Sequence, residues 1–313
     1  MKVFLTGGTG FIGQHLTRFL VEQSHSVVVA TRYPEQYNRA SGKVEAQEPD
    51  DQQNATVRYV PLREDMTADI EGSRVVINLA GESLFGKRWT SSVKKRLYNS
   101  RIQTTNALVS GMQRLDSIPE LFLSTSGINY YGDSGEDEVT EERGRGDDFL
   151  ARLCHDWESA ALEARKYGIR VVTPRTGVVL GAGGGALATM LPVFRGYLGG
   201  SIGPGTQYFP WIHMEDHCRA LLHAIVHDEI EGAYNAVAPN PVTMDDFAAS
   251  LGSVLSRPSM FKVPEQVVNL ALGEAAVLLT SSLKAVPEVL RNKGFKFRFP
   301  DVGKALENLL SPG

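Results

Sequence analysis

The stretch Thr6-Gly7-Gly8-Thr9-Gly10-Phe11-Ile12-Gly13 constrains the fold more than any other part of this 313-residue chain. It follows the β-type run from Lys2 to Thr6. A helical pattern comes after it, with Phe11, Ile12, Leu16, Phe19 and Leu20 on one side. A glycine turn between a strand and a helix has a specific physical use. Gly7 turns the chain out of the strand, Gly10 lets the backbone approach a pyrophosphate, and Gly13 lets the helix pack close to the sheet. The phosphates then meet free N–H groups at the helix N-terminus. Dinucleotide binding is the expectation, and a tight structural turn is the alternative.

The context repeats. Apolar runs at 27–30, 57–62, 75–80, 121–124 and 169–174 read as further strands, and 91–114 and 149–167 as helices. Strands alternating with helices, and apolar enough to be buried on both faces, predict an α/β fold with a parallel sheet. Residues 33–56 are polar and read as a long irregular loop. From Gly181 the texture changes to glycine-rich stretches, 181–185 and 196–205, which are expected to form flexible walls on the substrate side. Tyr208, Phe209 and Trp211 would make an aromatic-walled pocket there. Helices are expected at 215–228, 243–256, 264–280 and 301–310, with a short strand at 233–237.

The end of the second strand selects the dinucleotide. An acid there would bind the ribose 2′-OH of NAD, whereas an arginine accommodates the 2′-phosphate of NADP. The chain has Thr31-Arg32 and no acid until Glu35. NADP(H) is the expected cofactor, with an ordinary solvated arginine as the plain alternative for Arg32.

Composition excludes several classes. With 32 basic and 36 acidic residues the net charge is −4, and no basic stripe appears beyond Lys94-Lys95-Arg96, so nucleic acid is not an expected partner. No stretch approaches the ~18 apolar residues of a membrane span. The start carries no apolar leader, so the cytoplasm is the expected address. Cys154 and Cys218 read as buried thiols, and no metal site is expected. The acid-dense stretch from Asp133 to Asp148 reads as a solvated loop. Its sharper alternative is a lid whose negative field would discourage sugar-nucleotide diphosphates.

Several motifs in order carry a family resemblance. Residues 6–13, Asn78-Leu79-Ala80-Gly81, Ser124-Thr125-Ser126 and Tyr131-Gly132 resemble the extended short-chain dehydrogenase/reductases, the nucleoside-diphosphate-sugar epimerase and dehydratase superfamily. Glu82, Arg88-Trp89, Ser100-Arg101, Tyr130 to Asp133, Trp157-Glu158, Arg175 to Leu180 and Phe209 to His213 are similar to its atypical YfcH-like epimerase subgroup. The resemblance implies a Rossmann-type, doubly wound NADP-binding domain over 1–180, with a return segment at about 207–240. A smaller α/β substrate domain over 181–313 would be interleaved with it. It implies that Gly7, Gly10, Phe11, Ile12 and Gly13 line the pyrophosphate, and that Thr31 and Arg32 meet the adenosine phosphate. Leu79, Ala80 and Gly81 would pass under adenine and ribose. Glu82 would border the nicotinamide cleft, Arg101 would reach a cofactor phosphate or ribose, and Val179 would pack near the nicotinamide. For Leu79 and Val179 a core position is an equal alternative.

The parent family works with a Tyr-x-x-x-Lys pair on the helix after the fifth strand. Matching Glu158 to the acid that often follows that pair puts Cys154 at the lysine and Leu150 at the tyrosine, so the dyad is absent. Replacements stay open among Ser124, Thr125 and Ser126, Tyr130 or Tyr131, and His155 or His213. Thr125 or Ser126 with Tyr131 is the preferred relay. Tyr131 as a packing residue and His213 as a helix cap are the plain alternatives. Two functions remain: an NADP(H)-dependent oxidoreductase or epimerase acting on a small carbonyl or alcohol, or an NADP(H)-binding sensor or scaffold without turnover. The oligomeric state is open, with a homodimer among the options.

Overall fold

Seven strands lie side by side in one parallel sheet. They are β1 (Lys2–Thr6), β2 (Ser26–Thr31), β3 (Val57–Pro61), β4 (Val75–Asn78), β5 (Leu121–Ser124), β6 (Arg170–Thr176) and β7 (Gly232–Ala236). Their order is β7-β6-β5-β4-β1-β2-β3, and the two-residue strand Ser126–Gly127 extends the sheet beside β6. The computed structural model describes residues 1–40 and 55–311. Of the loop expected at 33–56, Pro34–Ala40 is a short helix, and 41–54 lie outside the described residues.

Successive residues of the apolar strands point to opposite faces, and each face has its own core. Val3, Leu5, Val27, Val29 and Ile77 pack with α1 (Phe11–Glu22) and α4 (Met214–Val226). Phe4, Val28, Val76 and Phe122 pack with α2 (Ser91–Met112) and α3 (Phe149–Leu162). This is the doubly wound arrangement. Chain order reverses between β1 and β4, where Thr6 lies beside both Ala30 and Asn78. A crevice opens at such a switch point, beyond the carboxyl ends of the strands.

The C-terminal part differs from expectation in three places. Residues Gly185–Arg195 form a helix, because Ala186, Leu187, Ala188, Met190 and Leu191 favour one once the glycines have turned the chain. The expected helix over 264–280 is broken into Glu265–Leu272 and Val277–Thr280, with Gly273 at φ +59° between them. The aromatic wall is instead a core. Phe209 and Trp211 are buried with Phe247 of α5 (Met244–Leu255) and Leu306 of α6 (Val302–Leu310), the Phe209 and Phe247 rings 4.7 Å apart.

The acidic stretch is pinned to the rest of the fold. Glu138–Val139 pairs with Lys284–Ala285, and Ser134 N donates to Ser282 O at 2.8 Å. The Glu141 carboxylate accepts from Asn235 N at 2.8 Å and Val289 N at 3.3 Å. No helix among the described residues is long and apolar enough to cross a membrane.

Candidate functional site

The glycine turn sits at the carboxyl end of β1, and two of its glycines are sterically required. Gly7 has φ +74°, and a Cβ there would lie 2.6 Å from the Leu79 carbonyl. At Gly13 a Cβ would lie 2.2 Å from Gly7 O, so α1 could not approach the loop. Gly10 is exposed and leaves its outer side open. Helices α2, α3, α4 and α5 are capped by the side chains of Thr90, Asp148, His213 and Thr243. Gly10 offers α1 no such cap. The N–H groups of its first turn lack intrahelical acceptors, so the turn, with glycine at positions 7, 8 and 10, forms a cradle that suits a diphosphate. Ile12 leans on the first core. The Phe11 ring lies under Gly181, Gly184 and Gly185, where Cβ atoms would come within 2.8, 2.3 and 2.8 Å of it. That contact gives the second glycine cluster a packing role.

At the end of β2, Thr31 is buried and its hydroxyl accepts from Tyr33 N at 3.4 Å. Arg32 is exposed beside the Tyr33 ring, 5.8 Å from its centroid, and makes no ion pair among the described residues.

At the end of β4 the fully buried Asn78 ties the crevice together. Its Oδ1 accepts from Thr6 Oγ1 at 2.7 Å and Ala80 N at 3.1 Å. Its Nδ2 donates to Thr105 Oγ1 at 2.9 Å and Ser124 Oγ at 3.2 Å. The Thr125 hydroxyl donates to Asn78 O at 3.0 Å. One side chain thus joins the ends of β1, β4 and β5 to α2. Leu79, Ala80 and Gly81 continue along the crevice, the last exposed. Glu82 is half-buried and pairs with Lys87 at 3.4 Å and Arg96 at 3.5 Å.

Beyond β5 the polar groups separate. Thr125 is half-buried at the crevice. Ser126 is buried and its hydroxyl makes no hydrogen bond, although the Cys154 thiol lies beside it. Burial, with Glu158 close by, pushes that thiol up to about 11, so it stays protonated. Tyr131 stands behind, 2% exposed. Its hydroxyl donates to Asn235 Oδ1 at 2.7 Å and accepts from Arg175 Nη1 at 2.8 Å. Burial pushes its pKa up to about 12, against the pull of Arg175. Arg175 is closed by Glu158 and lies 3.5 Å from the Tyr130 ring centroid. Leu150 and Cys154 are both buried, so α3 presents neither tyrosine nor lysine. Val179 is buried in the strand Val178–Leu180, beside Ile212. His213 caps α4 through Nδ1, and His155 is exposed.

The structure therefore gathers Gly7–Gly13, Thr31, Arg32, Leu79–Glu82 and Thr125 along the carboxyl ends of the strands. It sets Tyr131 and Val179 back in packed surroundings. Two features had only faint signals in the sequence. Asn78 closes an otherwise apolar strand, and Arg175 interrupts another.

A doubly wound sheet with this glycine turn at its switch point defines a dinucleotide-binding α/β protein. Residues 3–236 match the model of the NAD dependent epimerase/dehydratase family, and the chain belongs to that family. Residues 263–309 match a domain of unknown function, DUF1731. The chain is 35% identical over 312 residues to epimerase family protein YfhF of Bacillus subtilis, covering 99% of this chain and 98% of that one. It is equally similar to the chloroplastic SDR39U1 homolog of Arabidopsis thaliana, at 35% identity over 99% of this chain and 87% of the other. The crystal structure of human epimerase family protein SDR39U1 (isoform 2) with NADPH matches with a TM-score of 0.84. It is 32% identical to this chain and covers 99% of both chains.

Proposed function

We propose that this protein binds NADP(H) and acts as an epimerase-family oxidoreductase on a small carbonyl or alcohol substrate. The observation that carries the cofactor is Arg32. It makes no ion pair among the described residues at the end of β2, near an uncapped glycine turn, in a chain whose human relative was crystallised with NADPH. A guanidinium matches a phosphate bidentately.

In this reading Gly7, Gly10, Phe11, Ile12 and Gly13 hold the pyrophosphate through backbone N–H groups. Thr31 and Arg32 hold the 2′-phosphate. Leu79, Ala80 and Gly81 support adenine and ribose, and Glu82 and Val179 border the nicotinamide side. Residues 1–180 with 207–240 make the cofactor part, and the rest of the C-terminal third makes the substrate part. A cytoplasmic address belongs to the same reading.

The bound cofactor supplies or accepts a hydride. The chain's own groups would orient the substrate oxygen: Thr125 stands half-buried at the crevice with its hydroxyl donating to Asn78 O, and Ser126 lies buried beside it against the Cys154 thiol. Tyr131 completes the relay only where its bond to Asn235 opens, because its proton is already committed there. That commitment, with Leu150 and Cys154 in place of the dyad, favours the second reading, an NADP(H)-binding sensor with no turnover. Titrating NADPH and NADH into the protein tests the cofactor. Loss of nicotinamide absorbance across a panel of carbonyl substrates separates enzyme from sensor.

A further inference from the structure

An apolar surface of the C-terminal part lies open among the described residues. Phe261–Val263 runs parallel to Gly200–Ile202, with Phe261 opposite Gly200. Phe261 N donates to Gly199 O at 3.3 Å, which sets Tyr197 and Leu198 beside Met260 and Phe261. The helix Glu265–Leu272 follows directly, and Val268 is its one buried residue. Val267 and Leu270 are three apart and so share a side. Tyr197, Leu198, Met260, Phe261, Val267 and Leu270 are each between 51% and 83% exposed.

The size of this face is the first argument. At roughly 200 Å² for a fully exposed large side chain, the six together leave on the order of 700 Å² in water. The largest apolar patch on a monomer is usually about 300–600 Å². A stable interface takes about 800 Å² from each partner, a little over half of it apolar. The face is therefore large enough to be the centre of one.

The charges around it say what covers it. A helix that lies on a membrane carries lysine or arginine on its polar face. Glu265–Leu272 carries neither, and Glu265 is acidic. Lys262, the cation within the face, is already paired with Asp245 at 2.9 Å. Two charges remain at its margins. Arg195 comes before the start of the parallel strand pair and Glu265 after its end, and neither makes an ion pair among the described residues. A two-fold axis through the face reverses the strand direction. It brings Arg195 to the partner subunit's Glu265, and the reverse, so the face is self-complementary. Lys262 and Pro264 blunt the open edge of Phe261–Val263, so side chains rather than strand pairing make the contact.

We propose that this face is a two-fold interface between two copies of the chain, with Leu270 and Met260 in its apolar centre and Arg195 and Glu265 at its rim. It is independent of the NADP(H) reading.

Sedimentation of the full chain from low to high micromolar concentration tests it. The unaltered protein is expected at twice the mass of one chain. Leu270→Glu places a charge in the apolar centre and leaves the core untouched. It is expected to raise the dimer dissociation constant about 30-fold or more, the scale of an interface hot spot, with the melting temperature of the monomer unchanged. Should that variant fail to fold by circular dichroism, Met260→Glu is read the same way. Glu265→Arg is expected to weaken the dimer several-fold, and adding Arg195→Glu to restore it, as exchanged rim charges do. A single-chain mass throughout, a dimer indifferent to the central glutamate, or a charge reversal without rescue overturns the proposal. So does a monomer that sediments with phosphatidylcholine vesicles, which would give the face to a membrane.

Discussion

Arg175 and Glu158 meet through two parallel bonds of 2.9 Å, from Nε to Oε1 and from Nη2 to Oε2, with both side chains less than a tenth exposed. The same guanidinium donates to Tyr131, which donates to Asn235, whose amide donates to Val286 O at 2.9 Å. The chain of contacts runs from α3 through β6 and β7 to the C-terminal segment. Removing one partner of a buried pair strands the other, at about 3–5 kcal/mol. Glu158→Leu and Arg175→Met are each expected to lose that much in urea unfolding. The double variant should lose less than their sum. Strict additivity would show that the two side chains do not depend on each other.

In the proposed reading Arg32 sets the cofactor preference. Replacing it by aspartate would then put a carboxylate where the 2′-phosphate is expected to sit. Arg32→Asp is expected to weaken NADPH by about 10- to 100-fold, the range for a lost charged hydrogen bond. NADH, which has no 2′-phosphate, should bind much as before. An unchanged NADPH dissociation constant would refute the assignment of Arg32.

Tyr131 separates relay from framework. Its hydroxyl serves Arg175 and Asn235, so Tyr131→Phe is expected to lower stability by about 1–3 kcal/mol through the polar groups left behind. Turnover, measured on whichever carbonyl substrate the panel identifies, should fall less than tenfold if Tyr131 only supports the site. A collapse of turnover with the fold intact would return Tyr131 to the proton relay.

His217 sets an acid limit. It is fully buried on α4, with Nε2 3.2 Å from Thr176 Oγ1 and Nδ1 without a partner among the described residues. Burial pushes its pKa down to about 4. Above the usual histidine value near 6.5 both folded and unfolded states are neutral there. As pH falls below it, the unfolded chain takes the proton first and stability drains away until about pH 4. The loss is on the order of 3 kcal/mol. Melting temperature followed from pH 7 to pH 4 should fall more steeply in the unaltered protein than in His217→Gln. Parallel curves would place the acid sensitivity elsewhere.

Sequence reasoning reached the parts of this molecule that are local in the chain. Gly7, Gly10 and Gly13 act within one turn, and Arg32 follows directly from its strand. The apolar strands announced the sheet because both of their faces are covered. What stayed hidden depends on distant partners. Arg175, Glu158, Tyr131 and Asn235 lie far apart in sequence, and nothing local says that they meet. Glu141 looked like one more acid of a solvated run, yet its carboxylate takes backbone N–H groups from Asn235 and Val289. The helix after Gly185 was masked by the glycines before it. The break at Gly273 was hidden by apolar residues on either side.

Residues 263–309 match a family model of their own, but the fold does not treat them as a separate piece. Leu290 and Phe295 belong to the same core as Val3. The N–H groups of Arg298 and Phe299 each reach the Asp216 carboxylate at 2.8 Å. Cutting the gene near residue 263 would therefore sever a core. Without this tail the core around Val3 would open to water and the Asp216 carboxylate would lose two backbone donors, so body and tail can only reach their folded state as one unit.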